Sequence, residues 1–250
     1  MMSKTDIKFS VITICYNSEM TIERAIKSIV NQNNSSFEYI IIDGKSNDST
    51  VDIINKYKDK YSNIIFVSEM DKGIYDAMNK GIKLANGEWI LFINSDDWLN
   101  SNVLNILENL IEQDKDISDA IYGNIYRVNS NEDIINEAIP KLKIEEFIRI
   151  GMPVFHQAII IRKNVYVNLG MFDTNFKVAG DWDFISRMYR NNIKFKYVPI
   201  TFSYFSIDGI SSNTHILERH NVRRKNKFYR FIDLIMIKEI LVKIKRSIFD

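Results

Sequence analysis

Two carboxylates side by side, Asp96 and Asp97 in Asn94-Ser95-Asp96-Asp97, directly follow an apolar run. They repel each other unless a cation or hydrogen-bond donors neutralise them. Oxygen ligands of this kind suit Mg2+ or Mn2+, ions that keep several waters and bridge substrate phosphates. On that reading one carboxylate holds the metal and its neighbour accepts from a ribose hydroxyl, with the division of roles between Asp96 and Asp97 left open. Three other apolar runs also end in polar clusters: Tyr16-Asn17, Asp43-Gly44-Lys45-Ser46-Asn47-Asp48 and Glu69-Met70-Asp71-Lys72-Gly73. Each cluster taken alone also fits an ordinary turn or helix cap, which use the same residue types.

The elements that must position these groups are legible as a pattern. The runs Phe9 to Cys15, Phe37 to Ile42, Asn63 to Val67 and Glu88 to Ile93 are rich in Ile, Val and aromatics, as buried strands are. Between them, Thr21 to Val30, Thr50 to Tyr61 and Ile74 to Ala85 carry apolar residues at helical spacing. Such alternation predicts βα units, a parallel sheet and helices on both its faces. In that architecture ligands bind beyond the carboxyl ends of the strands, where the four polar clusters fall. Further on, Asn102 to Gln113 reads as a helix and Ala120 to Val128 with Ile134 to Ile139 as a hairpin. Ala158 to Ile161 reads as a strand, Trp182 to Tyr189 as a helix, and Phe195 to Tyr204 as an extended stretch broken at Pro199.

The segments VITICYN (Val11 to Asn17), IIDGKSNDST (Ile41 to Thr50), DKGIYDAMNKGIKLANGEWILFINSDD (Asp71 to Asp97) and AGDWDF (Ala179 to Phe184) occur in an order that resembles the family 2 glycosyltransferases. The likeness is to bacterial members that build capsular, O-antigen and other exopolysaccharides, and it covers about the first 210 residues. It implies an α/β GT-A fold, a Rossmann-like, mostly parallel sheet flanked by helices. It also implies transfer of a sugar from a nucleotide diphosphate donor, usually with inversion, to a glycan or lipid-linked acceptor.

Carried over position by position, Asp43 matches the family's acceptor for the uracil ring and Ser95-Asp96 lies in the metal-binding Asp-X-Asp motif, with Asp97 as the extra acid. Asp181 matches the catalytic base, although its place also fits a helix N-cap. Tyr16, Asn17, Lys72 and Asn79 fall to the donor, while His156, Gln157 and Trp182 fall to the donor sugar or acceptor. His215 matches a further metal ligand of some members. Three departures stand out: Asn94 replaces the first acid of the motif, Asp43-Gly44-Lys45-Ser46 stands where the second-strand motif more often reads Asp-Asp-Gly-Ser so that only its first acid survives, and Met78 replaces an arginine beside the donor phosphates.

The 250 residues carry a net charge of +1 that conceals two unlike parts. From Arg219 to Asp250 ten Lys or Arg face three Asp or Glu, so this segment carries +7 and residues 1–218 carry −6. The expected division is therefore a GT-A domain over 1–218, with a nucleotide-binding half at 1–97 and an acceptor-side half at 98–218, followed by a basic amphipathic helical tail at 219–250. That tail suits packing on the domain, a homodimer contact or a membrane surface. Nucleic acid is not an expected partner, since the body is acidic and carries no recognised reading module. One cysteine, a polar N-terminus and no apolar stretch of membrane-spanning length point to a cytoplasmic protein, soluble or peripheral on the inner face of the plasma membrane. Two rival readings remain: a nucleotidyltransferase, against which the glycine-free first loop counts, and a nucleotide-sugar-binding scaffold that has lost catalysis.

Overall fold

The structure is a computed structural model that describes residues 7–113, 118–207 and 216–228. The N-terminal half alternates as expected: β1 (Phe9–Cys15), α1 (Ile22–Val30), β2 (Phe37–Asp43), α2 (Thr50–Lys58), β3 (Ile64–Ser68), α3 (Ile74–Leu84) and β4 (Trp89–Phe92). These strands lie side by side in the order β3-β2-β1-β4, all parallel. The register puts Cys15 beside Asp43 and Asp43 beside Ser68, so the carboxyl ends of three strands are level and their following loops meet at one edge.

The second half is mixed. It comprises β5 (Trp98–Leu99), α4 (Val103–Gln113), β6 (Ala120–Val128), β7 (Ile134–Ala138), α5 (Ile144–Phe147), a short 3-10 turn (His156–Ala158), β8 (Ile159–Arg162), α6 (Lys163–Leu169), α7 (Gly180–Arg190), β9 (Phe195–Ser206) and α8 (Ile216–Lys225). The sheet continues from β4 through β8, β6 and β9 to β5, with β8 antiparallel to both β4 and β6, and β7 closing the hairpin on β6. Pro199 does not break the extended stretch. β9 pairs with β6 in parallel on both sides of it, and the register shifts between Tyr122 and Asn124, opposite the proline. A bulge of this kind absorbs a residue that has no N–H to give to the ladder.

Side chains alternate between two cores, one on each face of the sheet. Val11, Tyr39 and Ile41 face α1, α2 and α4, where Ile22, Ile26, Ile29, Ile54, Leu104 and Leu107 are buried. Ile12, Ile40 and Ile42 face the other way, towards Tyr75, Met78 and Ile82 of α3 and Trp182, Phe184 and Met188 of α7. Each fully buried Ile or Leu contributes about 1.5–3 kcal/mol relative to exposure.

The second core also takes in Val222 and Phe228, so the expected boundary at residue 218 runs through α8, a helix that belongs to the body. Asp183, buried in α7, accepts from Arg187 Nε at 3.0 Å, Lys225 Nζ at 2.9 Å and Asn226 Nδ2 at 2.9 Å. Glu218 accepts the backbone N–H groups of Lys177, Val178 and Ala179 at 2.9, 2.8 and 3.1 Å. These amides precede α7 and have no helical acceptor of their own. Glu218→Ala is therefore expected to lower stability by about 1–3 kcal/mol, read as a fall in the thermal midpoint. An unchanged midpoint would show that water replaces the carboxylate without cost. The part of the expected tail beyond Phe228 lies outside the described residues, as does His215.

Candidate active site

The first two loops at the sheet edge are tied to one another by hydrogen bonds. Asn17 N–H donates to Ser46 Oγ at 2.8 Å, Asn47 N–H to Asn17 Oδ1 at 3.0 Å, and Ser18 N–H to Thr50 Oγ1 at 2.7 Å. Ser18 and Ser95 share a hydroxyl contact of 3.0 Å, which brings in the loop after β4. Tyr16 stands clear of this network with 61% of its surface exposed.

Asp43 lies inside the network. It is 0% exposed; its Oδ1 accepts from Ser46 Oγ, and its Oδ2 accepts from Ser46 N–H at 3.0 Å and Ser68 Oγ at 2.6 Å. A carboxylate so engaged holds the loop in shape. The nearby open carboxylate is Asp71. Its Oδ1 accepts from Gly73 N–H at 2.8 Å, while its Oδ2 sits 2.6 Å from where a Cβ on residue 44 would be, beside the Tyr16 ring. Glycine at 44 is what admits this side chain. Asp71, which lies within the motif Asp71 to Asp97, fills the space that an acid at position 44 would need.

The acid pair divides cleanly. Asp97 is 1% exposed; its Oδ1 accepts from Ser206 N–H at 3.0 Å, its Oδ2 from Asn94 Nδ2 at 3.1 Å, and Gln157 bonds it as well. Burial, and then the charge of Asp96, pushes the Asp97 carboxyl up to about 8. Asp96 is half-buried, and no other residue donates to its carboxylate among the described residues. Burial raises its pKa too, with Arg24 pulling the other way. Arg24 fixes the turn by donating to the Asp96 carbonyl at 2.8 Å while lying 3.9 Å over the Trp98 ring, which itself stacks on Tyr204 at 4.9 Å.

Three further expected ligand contacts are occupied by the protein itself. Asn79 is buried and exchanges both of its amide bonds with the backbone of Phe172, at 2.9 and 3.0 Å, so it fastens α3 to the loop before α7. Gln157 is buried against Asp97 and Ser203. Trp182 is 3% exposed and donates Nε1–H to the Ile148 carbonyl at 2.8 Å, as a packing residue does. The Lys72 side chain is exposed and makes no ion pair among the described residues. His156 stacks on Phe92 at 5.2 Å and meets Phe172 edge-on at 6.1 Å; its Nε2 is buried without a partner, and burial lowers its pKa.

Asp181 is the second residue of α7, two positions after the N-cap residue Ala179. Its Oδ1 accepts from Trp182 N–H at 2.7 Å and from the Tyr75 hydroxyl at 3.3 Å, and the side chain is half-buried.

Residues 10–174 match the family model for glycosyl transferase family 2. The chain belongs to this family. A PGL/p-HBAD biosynthesis glycosyltransferase of Mycobacterium bovis is 29% identical over 224 residues, covering 86% of this chain and 83% of the relative. A poly(ribitol-phosphate) beta-glucosyltransferase of Bacillus spizizenii is 29% identical over 208 residues, covering 79% of this chain but 31% of that protein. Among solved structures, S. aureus TarS 1-349 in complex with UDP-GlcNAc superposes with a TM-score of 0.72 at 25% identity, over 88% of this chain and 65% of the TarS chain. A mannosyltransferase of Pyrobaculum calidifontis shares the fold, with a TM-score of 0.65 at 16% identity, over 88% of this chain and 62% of its own. This family 2 glycosyltransferase therefore has the GT-A fold, and among its described residues no helix is long and apolar enough to cross a membrane.

Does the edge suit a divalent cation? Among the described residues no three His, Cys, Asp or Glu side chains form a metal cluster. Asp96, half-buried with no donor from another residue, is a hard oxygen ligand of the kind that completes a shell made otherwise of water and substrate phosphates. The residues present fit such an ion.

Proposed function

We propose that this chain transfers a sugar, with inversion, from a uridine diphosphate donor to a glycan or lipid-linked acceptor of a cell-surface polysaccharide, at the inner face of the plasma membrane. The observation that carries the proposal is the level strand edge, with an open carboxylate on each side of the proposed reaction: Asp71 and Asp96 on the donor side, Asp181 on the acceptor side. The complex of the 25% identical TarS fragment with UDP-GlcNAc supports the uridine donor. That placement supports a nucleotide-binding half at 1–97 and an acceptor-side half at 98–218.

In this reading Tyr16 and Asp71 hold the base, with the Asp71 Oδ2 accepting its ring N–H. Lys72, exposed beside them, faces the diphosphate. Asp96 holds Mn2+ or Mg2+, while Asp97 and Asp43 keep their loops in shape. A bound cation acts as a Lewis acid that stabilises the charge gathering on the diphosphate. Asp181 takes the proton of the acceptor hydroxyl as its oxygen bonds to the anomeric carbon, and the carbon–oxygen bond to the diphosphate breaks with its electron pair. His156 belongs to the sugar side in this reading, its buried, unpartnered Nε2 turning outward to meet a sugar hydroxyl.

Incubating the purified chain with a panel of nucleotide sugars, Mn2+ and candidate acceptors tests this directly, with UDP release coupled to product formation as the expected result. Nucleotide-sugar binding without turnover would support the scaffold reading instead, and pyrophosphate release from a nucleoside triphosphate the nucleotidyltransferase. Within the donor site, Asp71→Ala is expected to weaken UDP binding about tenfold in calorimetry at unchanged thermal stability. The same loss in Asp43→Ala would have a different origin, visible as a lowered thermal midpoint.

A further inference from the structure

The proposed base is gripped from the other side of the cleft. Tyr75 stands in the first turn of α3, on the donor side, while Asp181 opens α7, on the acceptor side. The Tyr75 hydroxyl donates to Asp181 Oδ1 at 3.3 Å, and the Trp182 amide donates to the same oxygen at 2.7 Å. Among the described residues nothing donates to Oδ2. Both bonds therefore fall on one oxygen, which fixes the plane of the carboxylate and leaves the other oxygen open.

Neighbouring residues are shaped around this contact. Tyr75 is buried, with its ring tilted against Phe172 at a centroid distance of 5.5 Å. Phe172 is bonded in both directions to Asn79, one turn further along α3, so the helix holds the acceptor-side loop at two successive points. At Gly180 a Cβ would lie 2.7 Å from the Tyr75 ring, a distance that real side chains do not tolerate. Glycine immediately before the aspartate is what lets the phenol pass. Burial, and then the charge of Asp181, pushes the phenol's ionisation far above its ordinary range, which keeps it a neutral donor.

We propose that Tyr75 is a positioning residue for the reaction: with the Trp182 amide it occupies Asp181 Oδ1, so that Oδ2 is the atom that takes the acceptor's proton. This inference rests on the reading of Asp181 as the base. A carboxylate free to rotate spends less time with an oxygen in line with the acceptor hydroxyl, and misplacement of a reacting group costs turnover and not affinity.

The test compares Tyr75→Phe, which keeps the ring and removes the hydroxyl, with Gly180→Ala, which keeps the hydroxyl and displaces the ring. Each is expected to lower kcat about tenfold. In both variants KM for donor and acceptor and UDP affinity should stay within twofold of the parent; the thermal midpoint should hold within a degree or so in Tyr75→Phe and fall in Gly180→Ala, which crowds a buried ring. In the double variant the loss should be smaller than the product of the two single losses, because both act on one contact. A parent-like kcat in Tyr75→Phe overturns the inference, as does a loss that arrives entirely through KM or through stability. The two readings fail separately. If Asp181→Asn is inactive and Tyr75→Phe is fully active, the positioning role alone falls; if Asp181→Asn turns over normally, the base assignment falls and this inference with it.

Discussion

Asp181→Asn is expected to lower turnover by about a thousandfold or more while UDP affinity is unchanged. The substitution is close to isosteric. An asparagine oxygen at the position of Oδ1 still accepts from the Trp182 amide and the Tyr75 hydroxyl, so the first turn of α7 keeps its shape. What is lost is the ability of the second atom to take a proton, because an amide nitrogen is a donor. A sugar hydroxyl is a poor nucleophile until that proton leaves, so the loss appears in kcat. Asp183, two residues on, is the matched control. It is buried and already committed to Arg187, Lys225 and Asn226, so Asp183→Asn should lower the thermal midpoint first and activity only as a consequence. If Asp181→Asn retains more than about a tenth of parental turnover, proton abstraction by this residue is not the limiting contribution.

The contrast between Asp181 and Asp183 also marks how far the sequence reaches. The strand edge was readable because Ile-rich runs end abruptly in polar residues, and one line of text holds both facts. The family motifs single out Asp96 and Asp181 for chemistry in the same way. What the text does not hold is which polar atoms are already taken. Asn79 meets Phe172 across 93 residues and Tyr75 meets Asp181 across 106. Neither contact has a local signature: Tyr75 sits at a core position of an amphipathic helix, where an aromatic residue needs no other explanation. The Trp182 contact is equally silent in the text, since its Nε1–H meets the Ile148 carbonyl 34 residues away. The helices α5 and α6 escaped notice because four and seven residues are too few to show a period. Pro199 does not end β9, because a proline ends a strand only where its missing N–H is needed.

Replacing the two acids of the pair by alanine should damage the protein in opposite ways. Asp96→Ala removes a carboxylate that nothing else in the described fold uses, so the thermal midpoint should hold while Mn2+ ceases to strengthen UDP binding in calorimetry. Asp97→Ala leaves the half-buried Ser206 amide and Asn94 side chain without their acceptor, which should cost about 1–3 kcal/mol of stability. Asp97→Asn ought to be milder, since an amide can still accept from Ser206 and Asn94 can turn to present its oxygen. The pH dependence carries the same distinction. Because the folded Asp97 carboxyl is pushed up to about 8 from an ordinary value of 3.8, the folded state holds this proton more tightly than the unfolded chain does. Its contribution to stability is therefore full below about pH 4 and declines as pH rises towards 8, and Asp97→Asn should flatten that decline in denaturant titrations run without metal. Should Asp96→Ala lower the midpoint while Asp97→Ala instead abolishes the Mn2+ effect, the roles are reversed and the buried acid must open to reach the ion.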